Sequence, residues 1–228
     1  MLRRRKESCL RSRTSYNSKL HDGEWIKDTY ANQERSCLDA RMNGKPLSDM
    51  QRIAHVTLLI QAGADTTGTA LGSTLRFLIT NPEKKAKAVK ELDDANSAGL
   101  LSTPVKYEET RQHLPYFVAC IKEALRLNPP ATNLFARVVG KEGKVIDGHY
   151  IPPGSEITCH AYVSQRDPVL YGPDPDAFRP ERWLEQGKSN EMESVSLVFG
   201  MGSRVCLGKD IATIEMYKLL PEVFTIPP

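Results

Sequence analysis

The most extended apolar pattern in the chain runs from Asp49 to Thr80, with Ile53, Val56, Leu58, Leu59, Ile60, Leu71, Leu75, Leu78 and Ile79 spread around the helical projection. Apolar residues on most sides of a helix predict one that is largely buried. Ser48 caps this helix and Asn81-Pro82 stops it. No heptad repeat is sustained, which argues against a coiled coil. A charged surface helix follows over 82–96, then a loop holding Ser102-Thr103-Pro104. A second apolar helix is predicted over 115–127, ended by Asn128-Pro129-Pro130.

Beyond that point the period changes. Short strands are predicted at 134–139, 144–147 and 156–158, separated by Gly and Pro turns. Residues 165–183 are proline-rich and irregular, and a last helix runs over 207–220 before Pro221. Residues 1–47 form a polar, weakly ordered segment with short helical pieces near 24–40 and a turn at Asn43-Gly44-Lys45-Pro46. The outline is α+β, mainly α, without an internal repeat.

Composition narrows the function. The 228 residues are 40% hydrophobic, enough for a real core, and the net charge of +3 gives no overall case for nucleic acid. The basic stretch Met1-Leu2-Arg3-Arg4-Arg5-Lys6 reads as a solvated tail. No apolar run reaches membrane-spanning length and no signal peptide is visible. Cysteines at 9, 37, 120, 159 and 206 are odd in number and dispersed, as in a reduced intracellular chain. Neither they nor the five histidines show zinc-ligand spacing.

The candidate chemistry centres on Phe199-Gly200-Met201-Gly202-Ser203-Arg204-Val205-Cys206-Leu207-Gly208. Three glycines let the backbone turn tightly and approach a flat ligand. Arg204 and the helix that begins after Cys206 both favour a thiolate, which is a metal ligand or a nucleophile. In the long helix, Ala62-Gly63-Ala64-Asp65-Thr66-Thr67 joins small residues to an acid and two hydroxyls. Read by itself, it is either packing or a short proton relay between a buried acid and a buried alcohol. Glu123 and Arg126, three apart on the second apolar helix, share a face. Arg137 stands alone between apolar residues of a predicted strand.

Phe199, Gly200, Gly202, Arg204, Cys206 and Gly208 match in register the heme-binding signature of the cytochrome P450 family, which the chain resembles over residues 62–208. The resemblance implies the C-terminal half of that fold, with residues 48–228 a partial heme-binding domain and Cys206 the axial ligand of heme iron. It implies that Arg204 and Arg137 pair with heme propionates. Ala62 and Gly63 would lie against the heme, Leu134 and Phe135 near the substrate, and Asp65 and Thr66 would supply protons during oxygen activation, with Thr67 in support. Glu123, Arg126 and Arg182 would form a structural charge network that pins the irregular segment Phe178-Arg179-Pro180-Glu181-Arg182-Trp183.

The implied activity is that of a heme-thiolate monooxygenase. It inserts one atom of dioxygen into an apolar small molecule, with electrons from NADPH through a separate reductase. The motifs resemble those of microsomal fungal members of secondary or xenobiotic metabolism, which are bound to the endoplasmic reticulum. The resemblance begins only shortly before the long helix, so the lid and membrane anchor of the family are not expected from residues 1–47. An inactive remnant and a heme-binding module completed by a partner chain stand as alternatives.

Overall fold

The computed structural model describes residues 39–132, 135–185 and 187–225. Leu134 and most of the helical pieces expected near 24–40 lie outside them. The chain divides into two units, Met1–Gln61 and Ala62–Pro228.

In the first unit, β1 (Arg41–Met42) and β2 (Lys45–Pro46) pair antiparallel. Asn43 and Gly44 both take positive φ (53° and 77°), as a two-residue type I′ hairpin turn requires. The long helix α1 (Asp49–Thr80) then starts on a reciprocal cap. Ser48 N–H donates to Gln51 Oε1 at 2.9 Å and Gln51 N–H donates to Ser48 Oγ at 3.3 Å. Two donors of the first turn that have no helical partner are thereby satisfied.

Along α1 the expectation of general burial is corrected. Ile53, Leu58, Ile60 and Ile79 are each more than half exposed, and Val56 and Leu59 are exposed too. Its buried residues are Thr67, Ala70, Ser73, Thr74 and Leu78, all towards the C-terminal end. Leu71, Leu75 and Phe77 are half-buried against the same core, so among the described residues the covered part of the apolar circumference lies in the C-terminal half of the helix.

The second unit is a helical core with one small hairpin and a second two-stranded pair that brackets it. After Pro82 at the first helical position come α2 (Pro82–Ser97), α3 (Tyr107–His113) and α4 (Pro115–Leu127). Every residue of α4 except Pro115 and Lys122 is buried. Around it pack Ala70 and Leu78 of α1, Ala88, Leu92 and Ala95 of α2, and Phe178. Phe77 stacks on Phe178 with centroids 5.0 Å apart. The carboxylate of Glu91, on α2, accepts from the N–H groups of Tyr116 and Phe117 at 2.9 and 2.8 Å, closing the open start of α4.

The strands are β3 (Arg137–Val138), β4 (Lys144–Ile146), β5 (His149–Ile151) and β6 (Glu156–Ile157). β3 pairs with β6 and β4 with β5, both antiparallel. The β4–β5 turn, Asp147-Gly148, again has two positive φ values (48° and 76°), an Asp-Gly hairpin signal not used in the sequence reading. The stretch over 165–183 is less irregular than expected. It holds the end of the segment after α5 (Ala161–Ser164), a short α6 (Pro168–Tyr171) and a 3-10 turn, Pro180–Leu184. Helices α3 and α7 (Lys188–Val195) were also not anticipated; seven or eight residues give too few turns for a clear period.

The last helix, α8 (Lys209–Thr225), continues through Pro221 instead of ending before it. Pro221 has no N–H for the carbonyl four residues back, that of Tyr217. The fully buried Thr110 supplies the missing donor, its Oγ1 donating to Tyr217 O at 2.7 Å. A bond from another helix thus removes the main reason for the helix to stop.

Candidate functional site

The cysteine loop lies between α7 and α8. Gly200 N–H donates to Leu197 O at 3.0 Å, Cys206 N–H to Phe199 O at 2.8 Å and Val205 N–H to Gly202 O at 3.2 Å. Gly200 and Gly202 have φ of 69° and 71°, in the left-handed region that other residues rarely adopt. Phe199 packs against the main core and anchors the start of the loop, with Lys209 Nζ 5.8 Å from its ring centre. The other end runs into α8 through Ala212 N–H donating to Gly208 O at 2.9 Å.

What the loop presents is bare. Cys206 is an exposed free thiol, Met201 and Val205 are exposed, and Leu207 is fully so. Arg204 is exposed and makes no hydrogen bond or ion pair among the described residues. Arg137, also exposed, donates only to the carbonyls of Phe135 and Ala136, at 2.9 and 3.1 Å. Both guanidinium groups therefore retain donors for an outside anion.

On α1, Thr66 Oγ1 donates to Ala62 O at 2.7 Å, the back-bond that bends helices. The sequence expectation of a buried acid beside a buried alcohol is corrected: Asp65 is exposed, Thr66 is half-buried, and Thr67 is the buried one. Ala62, Gly63 and Ala64 are exposed as well, and a β-carbon on Gly63 would meet nothing within 4 Å. The small-residue strip is open because no described side chain lies over it.

The charge cluster is closed and dense. Glu123, fully buried, accepts from Arg126 Nε and Nη2, both at 2.8 Å, in a bidentate pair. Arg182 Nε reaches Glu123 Oε1 at 2.9 Å, Trp183 Nε1 reaches Oε2 at 2.9 Å and Arg179 N–H reaches Oε1 at 3.0 Å. The second guanidinium charge is spread over carbonyls: Arg126 donates to Gln165 and Pro175, and Arg182 to Tyr171 and Asp174. Asp174 Oδ1 lies 3.5 Å from Arg182 at the edge. Trp183 and Gln165 were missed as members. Trp183 lay inside the quoted motif, whereas nothing in the pattern around Gln165 marked it.

Residues 1–225 match the cytochrome P450 family, and the chain belongs to that family. It is 42% identical over 165 residues to cytochrome P450 monooxygenase cicH of Emericella nidulans, covering 72% of this chain and 33% of that protein. It is also 42% identical over 168 residues to a pisatin demethylase of Fusarium vanettenii, covering 74% and 32%. A zebrafish cytochrome P450 solved with progesterone has a TM-score of 0.65 and 26% identity, covering 82% of this chain and 41% of that one. The chain spans about a third of the length of the curated relatives it matches.

The family's cofactor is heme, and the donor set here suits it. Among the described residues no three His, Cys, Asp or Glu side chains converge on a metal site. A lone cysteine sulfur holds a metal firmly only where a cofactor brings the other donors, as a porphyrin does. Two exposed arginines without carboxylate partners among the described residues fit a cofactor that carries carboxylates of its own. Among the described residues no helix is long and apolar enough to cross a membrane.

Proposed function

We propose that this chain carries the heme-ligating part of a monooxygenase acting on an apolar small molecule, with electrons from NADPH through a separate reductase. The observation that carries the reading is the Phe199–Gly208 loop, which leaves Cys206 Sγ accessible beside a helix start while Phe199 is anchored in the core. When bound, the heme supplies the redox chemistry of oxygen activation. Cys206 would hold it through its sulfur, and Arg204 and Arg137 would bind its carboxylates. Ala62 and Gly63 give a flat ligand room against α1. Thr66 Oγ1 holds its proton on the Ala62 carbonyl, and Asp65, one residue earlier, is an exposed group able to exchange protons with solvent. The Glu123, Arg126 and Arg182 cluster keeps the segment before the loop in one arrangement.

The resemblance of the motifs to those of microsomal fungal members favours a substrate of secondary or xenobiotic metabolism and attachment to the endoplasmic reticulum. The organisation follows the same reading: residues 1–47 are a polar lead-in and 48–228 belong to the heme-binding domain. A second reading, heme binding without turnover by these residues alone, is favoured by the open Ala62–Asp65 strip, since catalysis on an apolar substrate needs a site shielded from water.

The deciding experiment is the absorption spectrum of the reduced, carbon-monoxide-bound protein after heme addition. A red-shifted Soret band typical of thiolate ligation supports the proposal, and only a thiol-type or free-heme band defeats it. Product formation with a reductase separates the enzyme from the binder.

A further inference from the structure

Gln165 is 1% exposed and uses every hydrogen-bonding group it has towards the core. Its side-chain Nε2 donates to Arg126 O at 3.0 Å, while Arg126 Nη1 donates back to Gln165 O at 2.7 Å. The other end of the amide faces the segment after α7. There, Gln165 Oε1 accepts from Ser196 Oγ and from Leu197 N–H, both at 3.2 Å. Donor on one side and acceptors on the other fix which way the amide points.

Leu197 is where the cysteine loop begins, because its carbonyl accepts Gly200 N–H, and Phe199 O in turn accepts Cys206 N–H. A continuous series of bonds therefore runs from Glu123 through Arg126 and Gln165 to Leu197, and from there into the loop that carries Cys206. Among the described residues, Gln165 is the sole side chain outside 196–198 that hydrogen-bonds this segment. The charge cluster itself makes no direct bond to the loop; Gln165 is the bridge.

We propose that Gln165 is a positioning residue that fixes the bearing of Cys206 Sγ by tying the root of the cysteine loop to Arg126. The role rests on the reading of Cys206 as the heme ligand. An apolar side chain of equal length leaves the buried Arg126 O and the half-buried Leu197 N–H without partners, so the loop root opens. The Glu123–Arg126 pair keeps all its other bonds, so α4 stays closed.

The test compares wild type with Gln165→Met and Ser196→Ala. In the heme-free protein it measures hydrogen exchange over 197–206 and the alkylation rate of Cys206 by peptide-resolved mass spectrometry, which separates it from the other cysteines. Gln165→Met is expected to speed both about tenfold or more while exchange across α4 is unchanged. Ser196→Ala, which removes one of the two bonds at Oε1 from a half-buried position, is expected to speed them about two- to fivefold. If Gln165→Met does not fold, the Ser196→Ala result decides.

After heme addition, Gln165→Met should move part of the reduced carbon-monoxide Soret band from the thiolate to the thiol position. A lower melting temperature with unchanged loop exchange, alkylation and band share means that Gln165 only fills space, and overturns the proposal. Absence of the thiolate band from wild type defeats the heme-ligand reading instead, while the two heme-free measurements still judge the bridge.

Discussion

Glu123 and Arg182 stand 59 residues apart in the chain, yet Arg182 Nε donates to Glu123 Oε1 over 2.9 Å in a place closed to solvent. The carboxylate comes from a regular helix and the guanidinium from a 3-10 turn in a proline-rich segment. That segment lacks ladder bonds of its own, so a few strong charge-assisted bonds take their place. One buried carboxylate faces two guanidinium groups, and the excess positive charge is carried by backbone carbonyls from Tyr171 to Ala177 and, at the edge, by the Asp174 carboxylate. The arrangement stabilises only while it is complete.

Glu123→Gln therefore should be far more harmful than its small change in shape suggests. It keeps the size but leaves Arg126 buried without an anion and Arg182 with only the Asp174 carboxylate at the edge, 3.5 Å away, at a cost of about 3–5 kcal/mol. Urea denaturation of the purified variant gives the number. A loss of under about 1 kcal/mol, the range of an exposed pair, would show that the cluster contributes little.

Thr110 and Pro221 offer a cleaner cycle. Thr110→Val removes the donor that satisfies Tyr217 O and should destabilise by about 1–3 kcal/mol. Pro221→Ala restores a backbone N–H four residues after Tyr217, so the loss from Thr110→Val should shrink in that background. Additive losses in the double variant would mean that Thr110 acts through packing and not through the carbonyl.

This pair also shows which parts of the fold were legible in the sequence. Both ends of α1 and of α4 were readable because Ser48, Asn81-Pro82 and Asn128-Pro129-Pro130 are local signals. The end of α8 was not, since the group that lets the helix pass Pro221 lies 107 residues before Tyr217. The Phe199–Gly208 loop could be read because its glycines answer to backbone conformation. Gln165 could not, because the four bonds that tie it to Arg126, Ser196 and Leu197 are all long-range, and no spacing rule foretells them. The burial of Asp65 was misjudged for a related reason. Periodicity tells which faces of a helix are apolar but not which of them finds a partner.

Arg204 and Arg137 should matter for cofactor binding and not for folding. Each is exposed and without a carboxylate partner among the described residues, so Arg204→Ala and Arg137→Ala should leave the unfolding free energy in urea within about 0.5 kcal/mol of wild type. Heme titration followed by absorbance should show weaker binding in both, and a larger loss in the double variant. Cys206→Ala should bind heme without any thiolate-type Soret band. Heme affinity unchanged by both arginine substitutions would remove them from the site.

Acid stability should depend on Glu181 in a definite direction. Burial alone raises its pKa, but its own backbone N–H, Lys84 and Tyr116 all donate to it and hold it down at about 2. Lys84 Nζ lies 3.1 Å and Tyr116 Oη 3.0 Å from its Oε1. A folded-state value below the ordinary 4.5 means that the folded chain binds fewer protons than the unfolded chain between these limits. The contribution is thus complete above about pH 4.5 and fades as the pH falls towards about 2. Glu91 has the opposite sign: burial outweighs the bonds from Tyr116 and Phe117, its pKa is raised, and its contribution fades as the pH rises. Urea midpoints of wild type and Glu181→Gln at about pH 6 and about pH 3 separate the two groups. The gap between the proteins should narrow on acidification; a gap that stays constant or widens would mean that Glu181 is not held as an anion by Lys84 and Tyr116.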